Sequence, residues 1–125
     1  MSRPNKDRYN QEVIEKLRIY QNSLELISQV YNLIKNNRNL ASDWSLCDQI
    51  KRASVSVATN ISEGYLRTKK QYRNFLSIAS GSANEVITLL QIITKIHGIK
   101  TESLQEKYKL LARQIGALSS KLRSS

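Results

Sequence analysis

The sequence predicts an all-α protein, specifically an antiparallel up-down-up-down four-helix bundle. Three observations predict it. Apolar residues recur at spacings of three and four along four long stretches. One proline, Pro4, and four glycines, Gly64, Gly81, Gly98 and Gly116, punctuate 125 residues, too few for a fold of many turns. The joins between the stretches are short, which makes neighbouring helices antiparallel. A chain of this length suits one domain, residues 12–123, and can bury roughly two thirds of its unfolded surface.

Residues 1–11 are polar and basic and are expected to be flexible. The first helix is expected over about residues 12–36. There Val13, Leu17, Tyr20, Leu24, Ile27, Tyr31 and Ile34 alternate four and three, the bundle repeat, and Ile14, Leu26, Val30 and Leu33 widen the stripe. The run from Lys35 to Asp43 has no apolar period and reads as a loop. Ser42 or Asp43 can accept the free amides of the next helix; Asp43 is favoured because a carboxylate suits the positive helix end. Trp44 is expected to cover the mouth of the core.

The second helix is expected over about residues 44–62. Leu46, Ile50, Ala53, Val57, Asn60 or Ile61, and Gly64 share one face. Its β-branched residues carry a propensity cost that points to burial on more than one side. Gly64 is placed as a left-handed stop. Thr68 and Gln71 have the spacing of a capping box for the third helix, about residues 69–97. Tyr72, Phe75 or Leu76, Ala79, Ala83, Val86 or Ile87, Leu90 and Ile93 line one face of it. Ile78, Leu89, Ile92 and Ile96 add a second, as in a central or interfacial helix. Gly81 costs about 1 kcal/mol inside a helix, so a close neighbouring backbone is expected there. Gly98 ends this helix. Thr101 can cap the fourth, about residues 102–122, where Leu104, Tyr108, Leu111, Ile115, Leu118 and Leu122 keep the four-three spacing.

Several function classes fall away. Cys47 is the single cysteine, so there is no internal disulfide. The opening MSRPNKDRYNQ is not a signal peptide, and no run approaches the roughly 18 apolar residues of a membrane span. A soluble, cytoplasmic protein is the expectation. His97, the single histidine, and Cys47 lie far apart and have no zinc spacing; no phosphate loop is present. No metal and no cofactor are therefore expected.

Arg52, Asn60, Glu63 and Glu85 are polar groups without an obvious surface role. Residues equally far from the turn near residue 66 oppose each other in an antiparallel pair. That pairs Arg52 with Ser82 or Glu85, and Glu63 with Lys70 or Arg73, as a network fixing helix register. Glu63 and Glu85 stand about 33 Å apart along straight helices and cannot share a catalytic site within one chain. No enzyme activity is expected. Tyr20, Tyr31, Tyr72 and Tyr108 are in register with the core; Tyr65, beside the basic turn, is placed to stack on a base.

The formal net charge is +10, which biases encounters towards polyanions. In the expected topology one bundle end collects Arg3, Lys6, Arg8, Lys16, Arg18, Arg67, Lys69, Lys70, Arg73, Arg113, Lys121 and Arg123. Only Asp7, Glu12, Glu15 and Glu63 oppose them. Arg3, Lys6, Arg8, Arg67, Lys69, Lys70, Arg73, Lys121 and Arg123 are the candidate nucleic-acid-binding residues. Lys69 and Lys70 also sit against the dipole of their own helix.

The stretch QIKRASVSVATNISEG followed by YRNFLSIASGSANE resembles the signature of the four-helix-bundle protein family linked to 23S rRNA intervening sequences. The matching residues are Arg52 and Ala53, Asn60 to Gly64, Phe75 to Ser82, and Glu85, and the resemblance covers nearly the whole chain. Val57 and Ala58 replace a common Ile-Pro, and Trp44-Ser45-Leu46 a common Tyr-Gly-Leu. The resemblance implies an up-down-up-down bundle, a ring-forming homopentamer, genes lying within insertions of 23S rRNA, and no attached enzyme activity. It also implies distant similarity to the accessory protein of diversity-generating retroelements, which binds its reverse transcriptase and nucleic acid.

The expected function is a non-enzymatic oligomeric scaffold holding RNA or DNA by its phosphates, with little base reading. The alternative is a protein–protein adaptor for a nucleic-acid-processing enzyme. A small nuclease is a minor third option.

Overall fold

The computed structural model describes residues 6–124, and side chains from 11 to 123. It is helical almost throughout: α1 (Lys6–Lys35), α2 (Arg38–Ala41), α3 (Trp44–Glu63), α4 (Lys69–His97) and α5 (Glu102–Ser124). The four long helices form an all-α bundle in which α3 packs on α1 and α4, and α5 packs on α4 and α1. Contacts fix the directions. Glu15, Asn22 and Gln29 of α1 meet Lys121, Gln114 and Lys107 of α5, one series rising as the other falls. On α3 and α4, Asp43 meets His97 and Ser56 meets Ser82 in the same sense. Arg3 lies outside the described residues. The first helix begins at Lys6, ahead of the expected residue 12, since no proline or glycine interrupts residues 6–35.

α5 buries Leu104, Tyr108, Leu111, Ile115, Leu118 and Leu122, as its spacing predicts. α4 contributes the most to the core, with Tyr72, Leu76, Ala79, Ala83, Val86, Ile87, Leu89, Leu90 and Ile93 buried. By length and composition alone α4 could cross a membrane, which its sequence was not expected to allow; 44% of that apolar window is buried within the bundle. Burying a Leu or Ile side chain is worth about 1.5–3 kcal/mol, so this face ties α4 to α3 and α5.

α1 departs from its expected stripe. Its buried residues are Ile19, Ser23, Leu26, Val30 and Ile34. Leu17, Leu24 and Tyr31 instead face outward, and Tyr20 is half-buried. Ser23 explains the difference. It breaks the apolar pattern of the true core face, yet its hydroxyl donates to the Tyr20 carbonyl at 2.6 Å and is buried without loss. Ile78, Ile92 and Ile96 on α4 likewise face outward.

The stretch expected as a loop holds the one-turn helix α2, because Leu40 is fully buried and anchors it. Trp44 does not cover the core; it is 83% exposed, whereas Leu40 is fully buried. Gly81 faces open space rather than a close backbone. Gly64 is right-handed, with φ −77°, not left-handed. It is glycine for another reason: a Cβ there would meet the Tyr72 ring at 2.6 Å and the Phe75 Cβ at 3.0 Å. Gly98 does adopt the left-handed conformation, with φ 68°.

Candidate functional site

The two ends of the bundle are built differently. At the end holding α2, polar groups satisfy one another. Asp43 caps α3 by accepting the Leu46 amide at 3.4 Å, and its other oxygen lies 2.8 Å from His97 Nε2 at the end of α4. The His97 hydrogen bond holds the Asp43 carboxyl below the usual carboxylate range, against a smaller opposing effect of burial. Cys47 Sγ donates to the Leu40 carbonyl at 3.0 Å, and burial pushes its thiol up. Thr101 donates to the Leu90 carbonyl at 3.0 Å and lies 2.9 Å from the Thr94 hydroxyl. Thr94 donates in turn to the Ile99 carbonyl at 2.7 Å, which closes the α4–α5 turn.

The other end holds the start of α1, the α3–α4 turn and the end of α5. The turn is short and pinned. Thr68 accepts from the Gln71 amide and Gln71 Oε1 accepts from the Thr68 amide, both at 3.2 Å, a capping box as the sequence predicts. Gly64 lets the turn lie against the Tyr72 ring. Tyr65 is half exposed and Leu66 is 92% exposed. Lys16 reaches across from α1, its ammonium 5.2 Å from the Tyr72 ring centre and 5.7 Å from that of Tyr65. Tyr72 is buried with no partner for its hydroxyl; burial, with a smaller contribution from Tyr65, pushes its pKa up to about 12. An apolar recess of about 420 Å³ opens beside the turn, lined by Leu17, Tyr20, Tyr65 and Leu66 among others.

The candidate cations divide into groups. The side chains of Lys6 and Arg8 lie outside the described ones, although both residues are in the first turns of α1. Arg67 pairs with Glu63 at 2.8 Å, both partly exposed, and its guanidinium also lies 5.7 Å from the Phe75 ring centre. Lys121 pairs with Glu15 across α5 and α1. Lys69, Lys70 and Arg123 are exposed. Arg73 is half-buried, and its Nε is fully buried without a hydrogen-bond partner. Arg67, Lys69, Lys70, Arg73, Lys121 and Arg123 therefore share one end of the molecule.

The expected register network takes another form. Arg52 pairs with Asp48 of its own helix at 2.9 Å and is largely exposed, and Glu85 is exposed; the two do not meet. Solvent screens both, so neither needs the other. Glu63 turns to Arg67 instead of Lys70 or Arg73. Asn60 donates to the Ser56 carbonyl at 2.9 Å and to Ser56 Oγ at 3.1 Å. Ser56 Oγ lies 2.8 Å from Ser82 Oγ, and this hydroxyl pair is the crossing from α3 to α4. Sequence reasoning missed Ser56 and Ser82 as partners; the only signal was their small size on facing helices. Among the described residues, no three His, Cys, Asp or Glu side chains gather as metal ligands would.

These features define a class: a small basic all-α bundle with one end closed by hydrogen bonds and the other rich in cations. Within that class the chain belongs to the 23S rRNA-intervening sequence protein family, whose model matches residues 15–120. It is similar to a crystal structure of a protein of unknown function from the S23 ribosomal protein family of Bacteroides thetaiotaomicron. That likeness has a TM-score of 0.59 and 25% identity, over 85% of this chain and 95% of that one. No curated protein matches this chain.

Proposed function

We propose that the protein is a non-enzymatic, cytoplasmic, oligomeric scaffold that holds RNA or DNA by its phosphates at the cation-rich end. The gathering of Arg67, Lys69, Lys70, Arg73, Lys121 and Arg123 at one end of the bundle carries this reading. Membership of a family named for a ribosomal RNA insertion supports a nucleic-acid partner. Phosphates need only charge and hydroxyl donors at this end, so the proposed contact involves little base reading.

Self-association is supported by the apolar residues left outside the core. Leu17, Leu24 and Tyr31 repeat every seven residues on α1, and Val55 and Leu66 extend that patch onto α3 and its turn. Ile92 and Ile96, and separately Ile78, are exposed on α4, which does not pack on α1. Exposed apolar residues on two helices that do not pack on each other suit head-to-tail contacts that close into a ring, and the homopentamer implied by the resemblance is the proposed form. A ring with parallel subunits gathers every cation-rich end on one face. The second reading, an adaptor for a nucleic-acid-processing enzyme, uses the same apolar patches on a foreign protein.

Light scattering for mass, with binding of a single-stranded RNA at two salt concentrations, tests the proposal. Phosphate binding weakens by about 0.7 log units per log unit of salt for each phosphate contacted. Lys69→Gln, Lys70→Gln and Arg73→Gln together are expected to reduce RNA affinity without loss of helicity. Unchanged affinity removes the assigned site, and a monomeric mass removes the scaffold.

A further inference from the structure

Between α4 and α5, at the cation-rich end, runs a groove of about 470 Å³. Arg73 and Arg123 line it, together with the hydroxyl residues Ser77, Ser80, Ser119 and Ser120. Among the described residues no carboxylate lines it. Gly116 also lines the groove, and a Cβ added there meets nothing within 4 Å, so the groove is open above that glycine. Arg73 Nε is buried in the protein with no acceptor. Arg73 is half-buried and makes no ion pair among the described residues, so its positive charge at the groove is unanswered, and an anion seated there offsets it. Guanidinium forks match phosphate oxygens in geometry and charge, and serine hydroxyls donate to the same oxygens.

We infer that the α4–α5 groove is a phosphate seat, with Arg73 and Arg123 as its cations and the four serines as further donors. This deepens the nucleic-acid reading and rests on it for the source of the phosphate, taken as a phosphodiester of a bound strand. The seat places one backbone phosphate in a fixed position, while Lys69 and Lys70 contribute diffuse attraction outside it. Gly116 keeps the way in open.

The experiment measures affinity for a short single-stranded RNA across a salt series, with inorganic phosphate and ADP as separate ligands in thermal-shift assays. Arg73→Gln is expected to weaken RNA binding several-fold and to lower the salt slope by about 0.7, one phosphate's worth. Ser77→Ala with Ser119→Ala is expected to weaken binding with the slope unchanged, because a neutral donor releases no counterion. Gly116→Glu is expected to lose the seat, at the same helicity. RNA binding that Lys69→Gln/Lys70→Gln weakens, but Arg73→Gln and Gly116→Glu leave intact, overturns the seat and preserves the wider reading. A wild type that ignores RNA removes the wider reading. In that case thermal stabilisation by phosphate or ADP, abolished by Gly116→Glu, keeps the seat as a free-phosphate or nucleotide site, and no stabilisation overturns it as well.

Discussion

The α2 end and the turn end of this bundle are made from the same helices and finished in opposite ways. At the α2 end, Leu40 plugs the core, Asp43 meets His97, and Thr94 and Thr101 tie off the α4–α5 turn. At the turn end, Leu66 and Tyr65 stand in solvent, and cations gather with few acids to answer them. The first end is finished for stability. The second leaves apolar and positive surface uncovered.

Truncation separates the two ends most sharply. Leu40→Ala is expected to lower stability by about 2–5 kcal/mol in urea unfolding. Leu66→Ala is expected to change it by less than about 0.5 kcal/mol. Equal losses at both positions would mean that the turn end is packed after all. Gly64→Ala probes the one tight contact at the turn end. It is expected to cost about 1–3 kcal/mol, because the new methyl group presses on the buried Tyr72 ring.

Asp43→Asn is expected to have a smaller effect, and one that depends on pH. The folded-state pKa of Asp43 is depressed, so its contribution is present above the unfolded carboxylate value of 3.8. It is lost as pH falls through the lower, folded value. Acid unfolding followed by circular dichroism should therefore be less steep in the variant, with the difference confined to the region below about pH 4.

The smallest effect is expected from Tyr72→Phe. It removes a buried hydroxyl that has no partner and is neutral to slightly stabilising at pH 7. The raised pKa of Tyr72 favours its neutral form in the fold. Wild-type stability is therefore whole below about pH 10 and declines as pH rises towards about 12. The variant should lose part of that alkaline decline.

How much of this was legible in the sequence differs from helix to helix. α5 could be read residue by residue, because its apolar period is unbroken and only one stripe exists. The Asp43, Thr68 and Gly98 end signals could be read because they act within one turn of their own helix. α1 offered two stripes, and the unbroken one was the wrong one, because a serine can be buried when it bonds its own backbone. Gly64 could be seen as special, but its reason lies in a ring eight residues away across a turn. The Arg52–Glu85 pair followed from register alone, which fixes height along the helices but not which way a long side chain turns. The cation-rich end was legible from topology and charge. The burial of Arg73 Nε was not, since it depends on how the side chain lies in the folded bundle.

The central claim is that position, and not total charge, makes the turn end bind phosphates. It is tested most directly by two triple variants with the same net charge: Lys69→Gln/Lys70→Gln/Arg73→Gln at the turn end, and Lys35→Gln/Lys95→Gln/Lys100→Gln at the α2 end. RNA affinity and its salt slope are measured for both beside the wild type. The account predicts a large loss of affinity and a shallower slope for the first variant only. Equal losses in both, or none in either, would contradict it.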